Sequence, residues 1–301
     1  MRSGLINSVR TLLVAFLLLS AGCKEENKEI LFSVAFMTDI HLQPEGEAVE
    51  GFTMALEAAN GLKPDFIMTG GDLVMDALAA DYERASSLFD LYNQVITTAG
   101  MPVYNTMGNH DIFGIEGLGG ADPSDPEYGE KMYTQRIGES YYAFTHQGWK
   151  FMVLNSAEDN GEGSYKGFID PQQIDWIKEE LRGTDKATPL VITTHIPFRS
   201  TLASIYLDYG GIDQASRFVT NADEVLELFS GYNLKLVLQG HHHFVEDDLS
   251  DGIHFITGGA VSGSSWWGPY LIFEEGFLYL TFTRDDFSWK YIDYGWEAVK
   301  K

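Results

Sequence analysis

The sequence predicts an α/β domain in which helices cover a parallel sheet. Three observations point to it. Apolar runs of strand length alternate with longer segments of helical period from residue 30 onward, in the order β-α-β-α-β. A polar motif rich in Asp, Asn or His stands directly after five of the apolar runs. Residues 30–296 contain no internal repeat and no linker that would split them, so the 301 residues give one large domain.

The elements follow in order. Residues 30–38 read as a buried strand that ends at Asp39. In residues 47–62, Val49, Phe52, Leu56 and Ala59 recur at helical spacing and predict one apolar face. Residues 64–69 are the second strand, closed by Gly70-Gly71. Tyr82, Ala85, Phe89, Tyr92 and Ile96 mark a helix over 81–98, and residues 102–107 are the third strand. Residues 112–138 are glycine-rich and polar, with Asp122-Pro123 and Asp125-Pro126 turns, which suggests a lid or substrate loop. Residues 141–145 and 150–154 predict a hairpin about Gln147-Gly148. Asp170-Pro171-Gln172-Gln173 combines an N-cap, a proline at the first helical position and a glutamine placed to reach back. Ile174, Ile177 and Leu181 then face inward, and Gly183 ends the helix. Residues 190–194 are a strand, Asn221-Ala222-Asp223-Glu224 is a second capping box, and residues 234–238 are another strand. Residues 253–257, 270–273 and 277–282 look antiparallel.

Apolar content of 45% is ordinary, but 20 basic residues against 44 acidic ones give a net charge of −24. Such a chain repels polyanions at long range, so no nucleic-acid partner is expected. Solubility is the plainer use of the acidity.

Residues 1–22 read as a processing segment. Arg2 and Arg10 precede an apolar run over 12–19 that is too short to span a bilayer. Leu19-Ser20-Ala21-Gly22-Cys23 then resembles the bacterial lipoprotein signal, in which the cysteine is acylated and becomes the first residue. Ser20 stands where that signal prefers an aliphatic residue. Cys23 is the only cysteine, which fits lipid attachment and excludes an intrachain disulfide. An ordinary secretory signal cleaved nearby is the alternative. Residues 23–29 form a charged tether, similar to those that send some lipoproteins to the outer face of the outer membrane; a solvated linker explains them equally well. The expected location is the bacterial cell envelope, anchored by lipid, at the outer membrane, with surface exposure left open.

Chemistry concentrates in Asp39-Ile40-His41, Gly71-Asp72, Gly108-Asn109-His110-Asp111, His195 and Gly240-His241-His242-His243. Six of the eight histidines lie in these motifs. Asp39 and His41 are two apart, so on a strand they share one face, and His241 and His243 repeat that spacing. Asp72 carries two carboxylate oxygens and can bridge two cations, while Asn109 offers a neutral oxygen. Two divalent ions outweigh Asp39, Asp72 and one hydroxide by about one positive charge, which suits a phosphate. Bound water would drop from a pKa of 15.7 to roughly 7.

In this order the five motifs resemble the calcineurin-like metallophosphoesterase family, over residues 33–283. The resemblance implies two mixed β-sheets packed face to face with helices outside, a four-layer αββα sandwich over residues 30–296. It implies two divalent metals, manganese, iron or zinc. Asp39, His41, Asp72 and His243 would hold the first, and Asp72, Asn109, His195 and His241 the second. A metal-bound hydroxide would attack the phosphate ester in line, His110 would protonate the leaving oxygen, and Asp111 would hydrogen-bond His110 and fix its tautomer. Met75 replaces the tyrosine of purple acid phosphatases, so a coloured iron site is not expected. The Gly71-Asp72-Leu73-Val74 and His195-Ile196-Pro197 blocks look like the cyclic-nucleotide phosphodiesterase branch, and a diester is favoured over a monoester.

His242, Arg199, Trp266 and Trp267 are candidate substrate contacts, and Arg217 is a further cation near the same segment. His146 reads as a surface residue in a hairpin turn and His254 as structural. The competing function is a surface glycan-binding lipoprotein with a non-catalytic form of this fold, using Trp266 and Trp267 as a stacking platform. The alternative for that pair is one tryptophan in the core and one capping a loop.

Overall fold

The computed structural model describes residues 29–206 and 214–298. The processing segment and Cys23 lie outside the described residues. The chain opens with β1 (Phe32–Met37), α1 (Ala48–Leu62), β2 (Phe66–Thr69), α2 (Tyr82–Ile96) and β3 (Val103–Tyr104). Next come α3 (Lys131–Arg136), β4 (Tyr142–His146), β5 (Trp149–Val153), β6 (Ala157–Asp159), β7 (Tyr165–Gly167) and α4 (Pro171–Arg182). β8 (Pro189–Thr193), α5 (Thr201–Tyr206), α6 (Gln214–Arg217), α7 (Ala222–Leu228) and β9 (Asn233–Gln239) follow. Four strands close the fold: β10 (Val245–Ser250), β11 (Ile253–Gly258), β12 (Gly276–Phe282) and β13 (Phe287–Asp293).

Two mixed sheets result. One runs β13-β12-β1-β2-β3, with β1, β2 and β3 parallel. The other runs β10-β11-β9-β8-β5-β4, with β11, β9, β8 and β5 parallel. Strand alternation explains how both faces of each sheet are buried. Phe32, Val34 and Phe36 of β1 meet Phe151, Val191, Leu236 and Leu238 of the second sheet. Ala35 and Met37, on the opposite face of β1, join the core under the helices. Aromatic rings tie the inner layer: Phe32 stacks on Phe282 at 4.6 Å, and Phe66 meets Phe151 edge-on at 5.4 Å. Each such buried side chain contributes roughly 1.5–3 kcal/mol. The expected face-to-face arrangement with outer helices is therefore present.

Several local readings differ. The 112–138 stretch is packed at its two ends, where Phe113, Ile115 and, in α3, Met132 and Tyr133 are buried, while residues 116–131 between them are half-buried or exposed. Asp170 does cap α4, accepting from the N–H groups of Gln172 and Gln173. Gln173, however, turns to the backbone of Asn155 instead of reaching back. The Asn221 amide braces the backbone of Ile169 and does not cap α7. Residues 270–273 supply only an isolated bridge. β11 is antiparallel to β10 but parallel to β9. β10 and β13 escaped the sequence reading because they are edge strands with a solvated face, so Glu246, Asp247 and Lys290 interrupt their apolar pattern.

Candidate metal centre

The parallel strands β1, β2, β8 and β9 deliver their C-terminal ends to one edge of the sandwich. β1 ends at Met37 and β9 at Gln239, so the ligand pairs lie past the strands. They converge through backbone turns, not through strand alternation. Asp39, His41, Asp72, His241 and His243 all have positive φ, between 47° and 72°. Left-handed backbone costs a side-chain-bearing residue roughly 1–2 kcal/mol, a strain typical of sites held for function. Cross-links offset it. The His41 N–H donates to Asp72 O at 2.9 Å, and the His241 N–H donates to both Asp39 carboxylate oxygens at 3.0 Å. The motif glycines are required by closeness. A Cβ on Gly108 would strike the Asp72 carboxylate, and one on Gly240 would strike Thr38 Oγ1 and Asp39.

The side chains form overlapping groups: Asp39, His41 and His243; His41, Asp72 and His110; and Asp72, His195 and His241. Asp72 joins them. Its Oδ2 lies 3.6 Å from His41 Nε2 and 3.2 Å from His195 Nε2. Asn109 Oδ1 is 3.0 Å from His195 Nε2, and His41 Nε2 faces His243 Nε2 at 3.3 Å. Asp39, Asp72 and His195 are fully or almost fully buried, whereas His110 is 27% exposed and stands at the rim.

The electrostatics fit a cation. Burial pushes the Asp39 carboxyl up, but His243 and His195 outweigh it and hold the group at about 2. Burial likewise opposes ionisation of Asp72, and His195, His110 and His41 pull it well below the carboxylate range. His195 is raised to about 9: Asp72 overcomes the burial that would lower it. His243 is raised in the same way by Asp39, against burial. Burial drives His41 down to about 3 and His241 well below its usual value. Two buried carboxylates thus have only histidine protons to balance them. Divalent cations would replace those protons, as metal ligands must be deprotonated. Asp39, His41, Asp72, Asn109, His195, His241 and His243 are the residues that would hold them.

A family model for calcineurin-like phosphoesterases matches residues 32–245. The chain belongs to the calcineurin-like phosphoesterase family. It is 29% identical over 220 residues to a protein of Synechococcus sp. named as a probable cyclic nucleotide phosphodiesterase, covering 70% of this chain and 73% of that one. A protein of the same name from Psychrobacter arcticus is 23% identical over 232 residues, 76% of this chain and 72% of the other. Among solved structures, a dimetal phosphatase from Danio rerio superposes with a TM-score of 0.62 at 14% identity. The match covers 87% of this chain and 96% of that one, and it shows the shared fold. The protein is a metallophosphoesterase.

The metallophosphoesterase site corrects four sequence readings. Asp111 does not touch His110. Its carboxylate is buried and accepts from the N–H groups of Leu73, Val74 and Gly108, fixing the two motif loops. Burial, with Asp72 nearby, raises it to about 7 against those three bonds. Asp76 is the carboxylate that faces His110, 3.7 Å from Nδ1. Trp266 is in the core: it is 3% exposed, and its indole donates to the carbonyls of Ile40 and His41. Only Trp267 is exposed, at 73%, so the paired stacking platform of a glycan binder is not formed. Arg199 is engaged elsewhere, with Ser250 at 2.7 Å and Asp223 at 3.3 Å. His146 closes β4 with its ring against Phe32 and Phe66, and is only half-exposed. His254 is structural as expected, with Nδ1 2.8 Å from Asp247. His242 is buried beside the ligands, where burial and Arg217 lower it to about 3. Tyr165, 6.0 Å from the His241 ring, gave no signal in the sequence because the short strand carrying it has no apolar pattern.

Proposed function

We propose that the protein hydrolyses a phosphodiester at a two-cation centre, with His110 as general acid. The observation that carries this reading is the position of Asp72 between the two ligand groups with His110 at their open rim. When bound, the cations supply an activated water and neutralise phosphoryl charge. The chain's own residues do the rest. Asp72 Oδ1 accepts the His110 N–H at 2.9 Å and so fixes the backbone of the general acid. The His110 ring meets His41 edge-on at 4.8 Å, and Asp76 lies 3.7 Å from its Nδ1, beyond hydrogen-bond distance. The remaining ring nitrogen is free to protonate a leaving oxygen. The names of the two curated relatives support a diester over a monoester.

The test is protein stripped by chelator and reloaded with manganese, iron or zinc. It is offered bis-(para-nitrophenyl) phosphate and the corresponding monoester. Two metals per chain and metal-dependent release, faster from the diester, are expected. No release from either ester after reloading would overturn the reading, and faster release from the monoester would overturn its diester part.

We further propose that Cys23 is acylated and anchors the enzyme in the bacterial cell envelope, where a small phosphoester is its substrate. In a bacterial host, Cys23→Ser should move the protein from the membrane fraction to the soluble fraction. Unchanged partition would refute the anchor.

A further inference from the structure

A cavity of about 130 Å³ opens beside His241 and His243, lined by Arg217, His242, Phe244 and Tyr270. Whole-ligand pockets run to roughly 300–1,000 Å³, so this one is sized for a single substituent. His241 and His243 each have a ring nitrogen bonded to a backbone carbonyl, but three other polar atoms of the lining lack partners. His242 is 4% exposed, and neither of its ring nitrogens makes a hydrogen bond of good geometry, although the Arg217 backbone lies alongside. The buried Nε of Arg217 has no partner either. Phe218 and Phe244 pack the His242 ring at 5.4 and 5.7 Å, so apolar contacts hold it in place. Each unpaired buried polar atom costs roughly 1–3 kcal/mol. Three of them around one cavity, next to the reacting centre, mark a place where a ligand supplies the partners.

The chemistry of the lining selects that ligand. Arg84, Arg136, Arg182 and Arg199 each pair with a carboxylate. Among the described residues neither Arg217 nor Arg284 has a carboxylate partner, in a chain of net charge −24, and Arg284 is exposed to water whereas Arg217 buries its Nε. Guanidinium is a permanent cation with donors only, and its fork matches an oxyanion. Tyr270 closes one side, its ring 5.3 Å from His243. We propose that this cavity is the subsite for a second oxyanion, a phosphate or carboxylate that the substrate carries beside the bond being cleaved. The proposal rests on the phosphodiesterase reading and narrows its substrate class to diesters with an additional anionic group.

Binding, measured by calorimetry on manganese-loaded protein, tests it apart from turnover. The probes are inorganic phosphate, methylenediphosphonate and phosphonoacetate. At least one two-anion probe should bind about tenfold or more tightly than phosphate. The better of the two tells phosphate from carboxylate. Arg217→Gln should reduce that advantage to below about threefold while phosphate still binds. Chelation of free manganese is the same for both proteins and drops out of the comparison. Equal binding of all three probes, or an advantage that survives in Arg217→Gln, would overturn the subsite and leave the diesterase reading intact. Failure of phosphate itself to bind the loaded native protein would overturn both. If Arg217→Gln loses phosphate as well, His242→Phe decides: it keeps the ring packing and removes both nitrogens. Loss of the advantage there, with phosphate retained, supports the subsite, and its retention refutes it.

Discussion

His110→Ala should lower phosphodiester turnover by about 100-fold or more, the size expected for losing a general acid. Both metals should stay bound. The two statements must be measured together, because His110 lies within reach of His41 and Asp72 and could be mistaken for a ligand. Metal analysis separates the roles. Loss of an ion would make His110 a ligand, whereas full occupancy with slow turnover makes it an acid. Its exposure at the rim, against complete burial of His195, already favours the second role. The leaving group gives a further check. A nitrophenolate departs without a proton and should suffer less from the substitution than an alkoxide, which needs one. An unchanged rate on both esters would remove His110 from the mechanism. The backbone contact from its N–H to Asp72 survives the substitution, so the carboxylate should keep its place.

The carboxylate nearest the His110 ring illustrates what the sequence could and could not show. Asp111 is adjacent in the chain and was the natural choice, yet three backbone N–H groups claim its carboxylate. Asp76 comes from a turn 34 residues earlier, and only the folded loops bring it to His110. The identities of the candidate ligands were legible because Asp, Asn and His are the side chains that hard and borderline cations take up. Their convergence was not, because it depends on left-handed backbone at Asp39, His41, Asp72, His241 and His243, a conformation no periodicity announces. The tryptophan pair was ambiguous for a related reason. Trp266 and Trp267 look alike in sequence, and Gly51 of α1 decides between them: without a Cβ it leaves room for the Trp266 ring. The central strands were read well because each is buried on both faces and forms a continuous apolar run, as in β1 and β8. Edge strands lack that signature.

Asp72→Asn should cost metal before it costs fold. The amide nearly matches the carboxylate in shape, so the approach of Gly108 can be kept, and the His110 N–H still meets an oxygen, though an uncharged and weaker acceptor. What is lost is the charge shared between the two ligand groups. His195 owes its raised pKa to Asp72, against burial, and should become easier to deprotonate in the variant. That change would help a cation bind at His195, yet it cannot replace an anionic bridge, since neutral amides are weak ligands. The balance should therefore leave fewer than two ions per chain and turnover below about 1% of the native rate, a loss on the order of 3 kcal/mol in transition-state stabilisation. Stability gives an independent reading. Ions that bind only the folded state raise its melting temperature, and the rise grows with occupancy. Native protein should show that rise on reloading with manganese, and Asp72→Asn should show a smaller one at the same metal concentration. Two ions per chain with native activity in the variant would sink the bridging role. Two ions with little activity would instead assign Asp72 to holding His110, because its Oδ1 contact with the His110 backbone is the other bond the substitution weakens.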